Sequence, residues 1–530
     1  MVTESDCSDD LLWDLATLPT MAQPTAHRDA GGIALYYDQT GRNELHVLDV
    51  ATGELAQWSE GDVPRDAGWW IKWGGPDRLF YHHDEAGNEQ HDIHAIERDG
   101  TSHPVFKADG QVVLHDVSPA GETLLLGSSH GGQMNLYLHQ VDTEETVKVT
   151  DADRAVHSGV LGPNGDRIAY STNESDEYHN YDVFVAEADG SNPRNLQIGD
   201  TGAEAFPTDW HPDADRLLIG DNTPDLSRCG VYDLETNSVT WVGHDGYEEA
   251  PECFLPDGER FIGIRTRETL VVPVVYDPAT GEAAEFDLPD GVAGFGQNGT
   301  PVLDESHVAM TQEGPTRRRE LLAYDLESDE SEVLLEADYG PFDPEDFADA
   351  EFFTVESDGV PQTPARAVEH DPYEALEIEG LLYDPGVRPA PLIVNPHGGP
   401  PVYETKDFDV FDQFLASRGY AVLQVNYRGS AGLGREFKER LYHDWGGAEQ
   451  GDVATAAEHV LDTYDWIDED CVAVYGRSFG GYSANWQLVQ YPELYDAGIA
   501  WVGVSDLQDM YENTMPHFRS ELMVKYLGEP

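Results

Sequence analysis

The stretch Y-G-R-S-F-G-G-Y (475–482) decides how the last third of this 530-residue chain folds. It contains G-x-S-x-G behind the apolar run C-V-A-V-Y-G (471–476) and ahead of a helical stretch near 480–490. The motif alone recurs by chance in many proteins. Between a buried strand and a helix it marks a sharp turn that holds the serine hydroxyl out at the top of a sheet. Small residues are needed on both sides because strand and helix come close together there. The reading selects Ser478 as nucleophile, and puts the backbone N–H of Phe479 at a helix N-terminus, where it can donate to a developing oxyanion.

Working outward, strand-like runs at 351–357, 377–383, 391–396, 420–427, 471–476 and 497–504 alternate with helical stretches near 406–418, 448–463 and 480–490. The later runs are nearly continuous in Val, Ile, Leu and Ala, as expected of parallel strands buried on both faces. The Pro-rich segment 358–376 reads as an enlarged hairpin loop. H-G-G-P (397–400) closes the third strand, where sheets of this architecture place a second oxyanion donor. Gly399 is the preferred donor and Gly398 the alternative. His397 invites assignment as the catalytic base, but the order in this fold is Ser, acid, His, so an upstream histidine reads as structural.

Before about residue 345 a different pattern recurs. A turn rich in Pro, Asp and Gly leads into an apolar strand, a polar loop and a second strand, with copies starting at 74, 118, 162, 211 and 255. Their prolines, Pro76, Pro119, Pro163, Pro212 and Pro256, are spaced by 43, 44, 49 and 44 residues. Period-2 alternation and D-G turns indicate antiparallel hairpins. About four strands per 43–49 residues indicate propeller blades, since one such sheet cannot bury both faces alone. Fainter copies at 31–55 and 295–334 bring the count to seven. The expectation is a β-propeller over 1–345, with 1–30 as an N-terminal extension, followed by an α/β-hydrolase domain over 346–530.

There are 102 acidic and 30 basic residues, a formal charge of −72, and the acids are spread through every segment. Only six residues are lysine, so a phosphate-binding groove is hard to build and nucleic acid is excluded as a partner. Self-repulsion of this size calls for screening salt, which implies a halophile's cytoplasm. No basic leader precedes an apolar run in the first thirty residues and no stretch of membrane-spanning length is apolar. Cys7, Cys229, Cys253 and Cys471 are far apart without metal-site spacing, which fits reduced thiols, no metal and no cofactor.

H-G-G-P, then N-Y-R-G-S-A-G-L-G-R-E-F (426–437), W-G-G-A-E-Q-G-D-V (445–453) and Y-G-R-S-F-G-G-Y (475–482), in this order and behind a propeller, resemble the acylaminoacyl-peptidase branch of the prolyl oligopeptidase family. The resemblance implies hydrolysis of short peptides through an acyl-enzyme, with the propeller excluding folded proteins; a homo-oligomer is compatible with it. Family members continue through two more strands whose loops supply the catalytic Asp and then His. Here only 52 residues follow Ser478, so the chain reads as C-terminally truncated, with neither the expected Asp nor the expected His. A compressed triad of Ser478, Asp506 and His517 lacks an intervening strand to bring the histidine back. A carboxylesterase and a catalytically dead peptide-binding propeller are the competing readings.

Overall fold

The computed structural model describes residues 10–65, 68–84, 88, 90–177, 179–243, 246–360, 374–515 and 518–528. Seven antiparallel blades of four strands occupy 21–57, 71–106, 112–148, 156–195, 205–242, 248–285 and 292–335, the last two fused by one parallel pairing, Val271 with Val292. Burial falls outward across each blade. The second strand is mostly buried because neighbouring blades cover both faces, and Gly32–Tyr37 is buried along its whole length, whereas the outer strand Thr146–Lys148 is exposed.

The Pro-Asp-Gly turns prove to join the first and second strands of a blade: 162–166 links Val156–Leu161 to Arg167–Thr172. Each blade therefore begins one strand earlier than the sequence repeat implies. The first strands escape the period-2 pattern because in blades 1, 3, 4, 5 and 6 a register shift interrupts their pairing. The same effect corrects the expected extension over 1–30. Met21–His27 is the first strand of blade 1, disguised by Pro24 and by the shift between Ala22 and Thr25. It closes the ring against blade 7, with Ala26 N–H donating to Thr300 O (2.6 Å) and Thr300 N–H to Thr25 Oγ1 (3.0 Å). Ahead of it, the helix Asp10–Ala16 packs on the helix Val410–Ser417 of the second domain.

That domain is one six-stranded sheet. In spatial order the strands are Ala350–Ser357, Leu376–Tyr383, Ala421–Asn426, Ala390–Pro396, Ile467–Arg477 and Ala497–Trp501. The first two form an antiparallel hairpin whose connection includes 361–373, outside the described residues. The last four are mutually parallel. Ala421–Asn426 is fully buried, as its apolar run implies. The last strand ends at Trp501, short of the 504 read from its apolar run, and every residue in it is exposed. It is the edge of the sheet, and with Val489, Ile499, Trp501 and Val502 it presents apolar side chains to solvent.

The two domains dock through a few cations set among acids. Glu204 of blade 5 accepts hydrogen bonds from Lys438 and from Lys525 Nζ (2.7 Å). Burial raises its carboxyl, but the Lys525 and Lys438 ammonium groups prevail and hold it down to about 2. Nearby His179 stacks on Tyr442 at 4.3 Å, and Thr269 N–H donates to Tyr403 OH (2.8 Å).

Candidate active site

Ser478 stands between the strand Ile467–Arg477 and the helix Phe479–Gln490 at φ 57°, ψ −118°, a region that a non-glycine residue enters only when its surroundings over-determine it. The surroundings do. Ser478 N–H donates to Trp501 O on the edge strand (3.0 Å), and Ser478 O accepts the N–H of Tyr482 (3.0 Å). Helix and strand approach so closely that a Cβ on Gly476 would lie 2.1 Å from Gly480 O, and one on Gly480 would lie 2.1 Å from Pro396 O. Any side chain at either position would push the serine off the top of the sheet.

The H-G-G-P turn runs alongside. A Cβ built on Gly398 would lie 3.6 Å from Ser478 Cβ, and Gly399 follows at φ +116°, a conformation that favours glycine. Among the described residues, the N–H groups of Gly398, Gly399 and Phe479 donate to no protein acceptor. Donors left open beside a nucleophile are what stabilising an oxyanion requires.

His397 faces away from this chemistry. It is buried, stacks on Tyr427 at 4.2 Å, meets Ser430 Oγ through Nε2 (2.7 Å), and its Nδ1 lies 2.8 Å from Gly398 O. Burial pulls its pKa down to about 4, so it stays neutral at physiological pH. Tyr427 OH donates to His397 O (2.9 Å), which fixes the backbone leading into the glycines. Asp506 is exposed and caps the helix Leu507–Asn513 by accepting Asp509 N–H (3.0 Å); His517 lies outside the described residues. Among the described residues no side chain hydrogen-bonds to Ser478 Oγ.

Sequence reasoning quoted N-Y-R-G-S and A-E-Q-G-D-V only as motif and missed what they do. Arg428 is wholly buried and grips Asp452 with a fork, Nε to Oδ2 and Nη2 to Oδ1, both 2.8 Å, while Arg428 N–H donates to Oδ2 at 2.9 Å. Ser357 Oγ donates to Asp452 Oδ1 (2.6 Å), which ties in the first hairpin. Since Tyr427 and Ser430 flank Arg428, this pair anchors the segment that holds His397. The available signal was one arginine in N-Y-R-G-S and two acids, Glu449 and Asp452, in A-E-Q-G-D-V, with nothing to say which acid the arginine meets.

Several carboxyls are also held out of water. Burial pushes Glu379 and Glu404 up to about 7 and Asp407 and Glu449 up to about 8. An unfolded chain titrates its carboxyls near 4, so between about pH 4 and 8 the folded state binds more protons. That contribution is fully present at low pH and is lost as pH rises through the folded values. The melting temperature in molar salt is therefore expected to rise as pH is lowered from about 8.5 to 6.5, a range over which unfolded histidines become no more than about half charged. Calorimetry across that range checks it, and a flat or opposite slope contradicts it.

A seven-bladed propeller docked on an α/β-hydrolase sheet with a strained nucleophile turn defines the class of the chain. Residues 407–526 match the prolyl oligopeptidase family. The dipeptidyl aminopeptidase BIII of Pseudoxanthomonas mexicana is 34% identical over 144 residues, 27% of this chain and 21% of that protein. The acylamino-acid-releasing enzyme of Homo sapiens is 36% identical over 146 residues, 27% of this chain and 20% of that protein. The matched stretch thus spans about a fifth of these curated relatives. A Mycobacterium tuberculosis puromycin-hydrolyzing peptidase superposes with TM-score 0.76 at 19% identity, over 98% of this chain and 82% of that one, a likeness of fold. Among the described residues no helix is long and apolar enough to cross a membrane.

Proposed function

We propose that this chain is a serine-type peptidase acting on short peptides, in which Ser478 attacks the scissile carbonyl while the N–H groups of Gly399 and Phe479 hold the oxyanion. The observation that carries the reading is the left-handed Ser478, wedged between two close backbone approaches beside three open N–H donors. The family match and the relatives named as peptidases support it. The propeller restricts access to short, unfolded substrates. Acylaminoacyl, dipeptidyl and prolyl specificities all fit, the setting is a salt-rich cytoplasm, and assembly into a homo-oligomer is compatible with the reading.

Activation of the serine is a separate matter. With no base on Ser478 Oγ among the described residues, the 530 residues alone are expected to hydrolyse peptides at only about 10³ to 10⁴ over water, the level left by oxyanion hole and binding when a triad is dismantled. Adding a segment that brings an Asp and a His onto Ser478 is expected to raise the rate on the order of 10⁴-fold or more, and Ser478→Ala in that protein to abolish it. Short chromogenic peptides and covalent labelling by a fluorophosphonate read both. Labelling that survives Ser478→Ala, or its absence even after the segment is added, would leave a peptide-binding protein as the better reading. Esters cleaved while peptides are spared would favour a carboxylesterase. An enzyme-like rate in the 530-residue chain that His517→Ala stops would establish the compressed triad.

A further inference from the structure

A large cavity lies away from Ser478. It lies in the propeller channel, encloses about 980 Å³, and is walled by first strands of the blades. Two of its carboxylates have a structural task. Asp116 accepts Val117 N–H and, across the blade boundary, Leu161 N–H, both at 2.9 Å. Asp209, two blades on, accepts Trp210 N–H (2.9 Å) and Phe254 N–H (2.8 Å) in the same way. Each ties its blade to the next, and this explains why it is inside.

Glu252 has no such explanation. It lines the cavity, and among the described residues it makes no hydrogen bond or ion pair. Lys72, whose field reaches it, is already paired with Asp116 at 3.3 Å. Glu252 and Asp209 are half-buried on the cavity wall, and desolvation there pushes Glu252 up to about 8 and Asp209 up to about 7. Thr208 Oγ1, on the same wall, is buried without a partner. The dispersed surface acids are hydrated and need no partner; an interior carboxylate does. Trp69, Trp70, Phe206 and Trp210 also line the cavity, together with His115, His157 and Arg28, whose guanidinium is paired with Glu305. Aromatic faces beside an unpaired carboxyl that an incoming cation would ionise suit an ammonium group that carries carbon, which gains from cation–π contact and from burial of its skeleton. A metal ion suits the site less well: among the described residues no three His, Cys, Asp or Glu side chains converge for one, and Asp116 and Asp209 already spend their oxygens on backbone N–H groups.

We propose that the propeller channel is a binding site for an organic ammonium ion, with its charge against Glu252 and its carbon skeleton on the tryptophans. The site is independent of Ser478. The ammonium could belong to a small free amine or to the N-terminus of a peptide.

The test is titration of the full chain in about 2 M KCl, followed by calorimetry and tryptophan fluorescence. The probes are benzyltrimethylammonium, benzyl alcohol as its uncharged counterpart, phenylalaninamide, and N-acetylphenylalaninamide. Saturable one-to-one binding of benzyltrimethylammonium is expected, at least about tenfold tighter than that of benzyl alcohol, about tenfold weaker in Glu252→Gln, and unchanged in Ser478→Ala. Phenylalaninamide binding more tightly than benzyltrimethylammonium, with the acetylated form inert, would assign the site to peptide termini; the reverse order would assign it to free amines. The comparison of charged and uncharged probes on the unsubstituted chain stands even if Glu252→Gln fails to fold. No saturation by any cation up to about 10 mM, equal binding of the alcohol, unchanged affinity in Glu252→Gln, or loss in Ser478→Ala would each overturn the proposal.

Discussion

In dilute buffer the protein is expected to lose its fold, and in molar salt to keep it. The formal charge of −72 comes from 102 acidic and 30 basic residues, and the structure shows how little of it is compensated. All six lysines are already committed: Lys72 to Asp116, Lys107 to Asp92, Lys148 to Asp151, Lys406 to Asp349, and both Lys438 and Lys525 to Glu204. The acids beyond these pairs and those of the arginines repel one another across the surface. The distance over which they do so shrinks from about 30 Å at 0.01 M salt to about 3 Å at 1 M. Ion pairs weaken as salt rises, so the repulsive majority and the paired minority predict opposite slopes, and the majority sets the sign. Circular dichroism across a KCl series decides between them. A native spectrum and unchanged melting temperature at about 50 mM KCl would show that the fold tolerates its own charge. Lysine-paired Glu204 supplies an internal control, since Glu204→Gln is expected to weaken domain docking without altering the overall salt dependence.

Much of this architecture was legible in the chain because its signals are local. Pro163 and its counterparts mark the same hairpin turn in successive blades, and Ser478 sits in a motif whose strand and helix are contiguous in sequence. What escaped is what depends on partners far away. Met21–His27 does not look like a strand until blade 7 closes on it. Gly398 and Gly399 are adjacent and chemically alike, so sequence alone ranks them only by analogy; the structure leaves both N–H groups open beside Ser478. Glu252 was invisible among 102 acids, because only the fold separates an interior carboxylate from a hydrated one. Arg428 and Asp452 are 24 residues apart, and nothing in either motif announces that they meet.

That meeting is expected to carry a large part of the second domain's stability. Arg428 is fully buried and spends its guanidinium on Asp452, Ser357 O (3.3 Å) and Glu374 O (3.2 Å). Arg428→Met leaves the buried Asp452 carboxylate with the Ser357 hydroxyl and one backbone N–H as its named donors, and the loss expected for an uncompensated buried charge is about 3–5 kcal/mol. Arg428→Lys is expected to lose much of the same, because an ammonium cannot reproduce the fork. Removing both charges together should cost less than removing either, since the penalty lies in the orphaned ion more than in the lost attraction. Because Tyr427 and Ser430 hold His397, the single variants are also expected to slow labelling of Ser478 in the protein that carries the added Asp- and His-bearing segment. Hydrogen exchange read separately over 350–528 and 21–335 distinguishes a local effect from a global one, and opening is expected in the former alone. A loss under about 1 kcal/mol in Arg428→Met would mean that water replaces the guanidinium at Asp452 and that the hairpin stays docked without it.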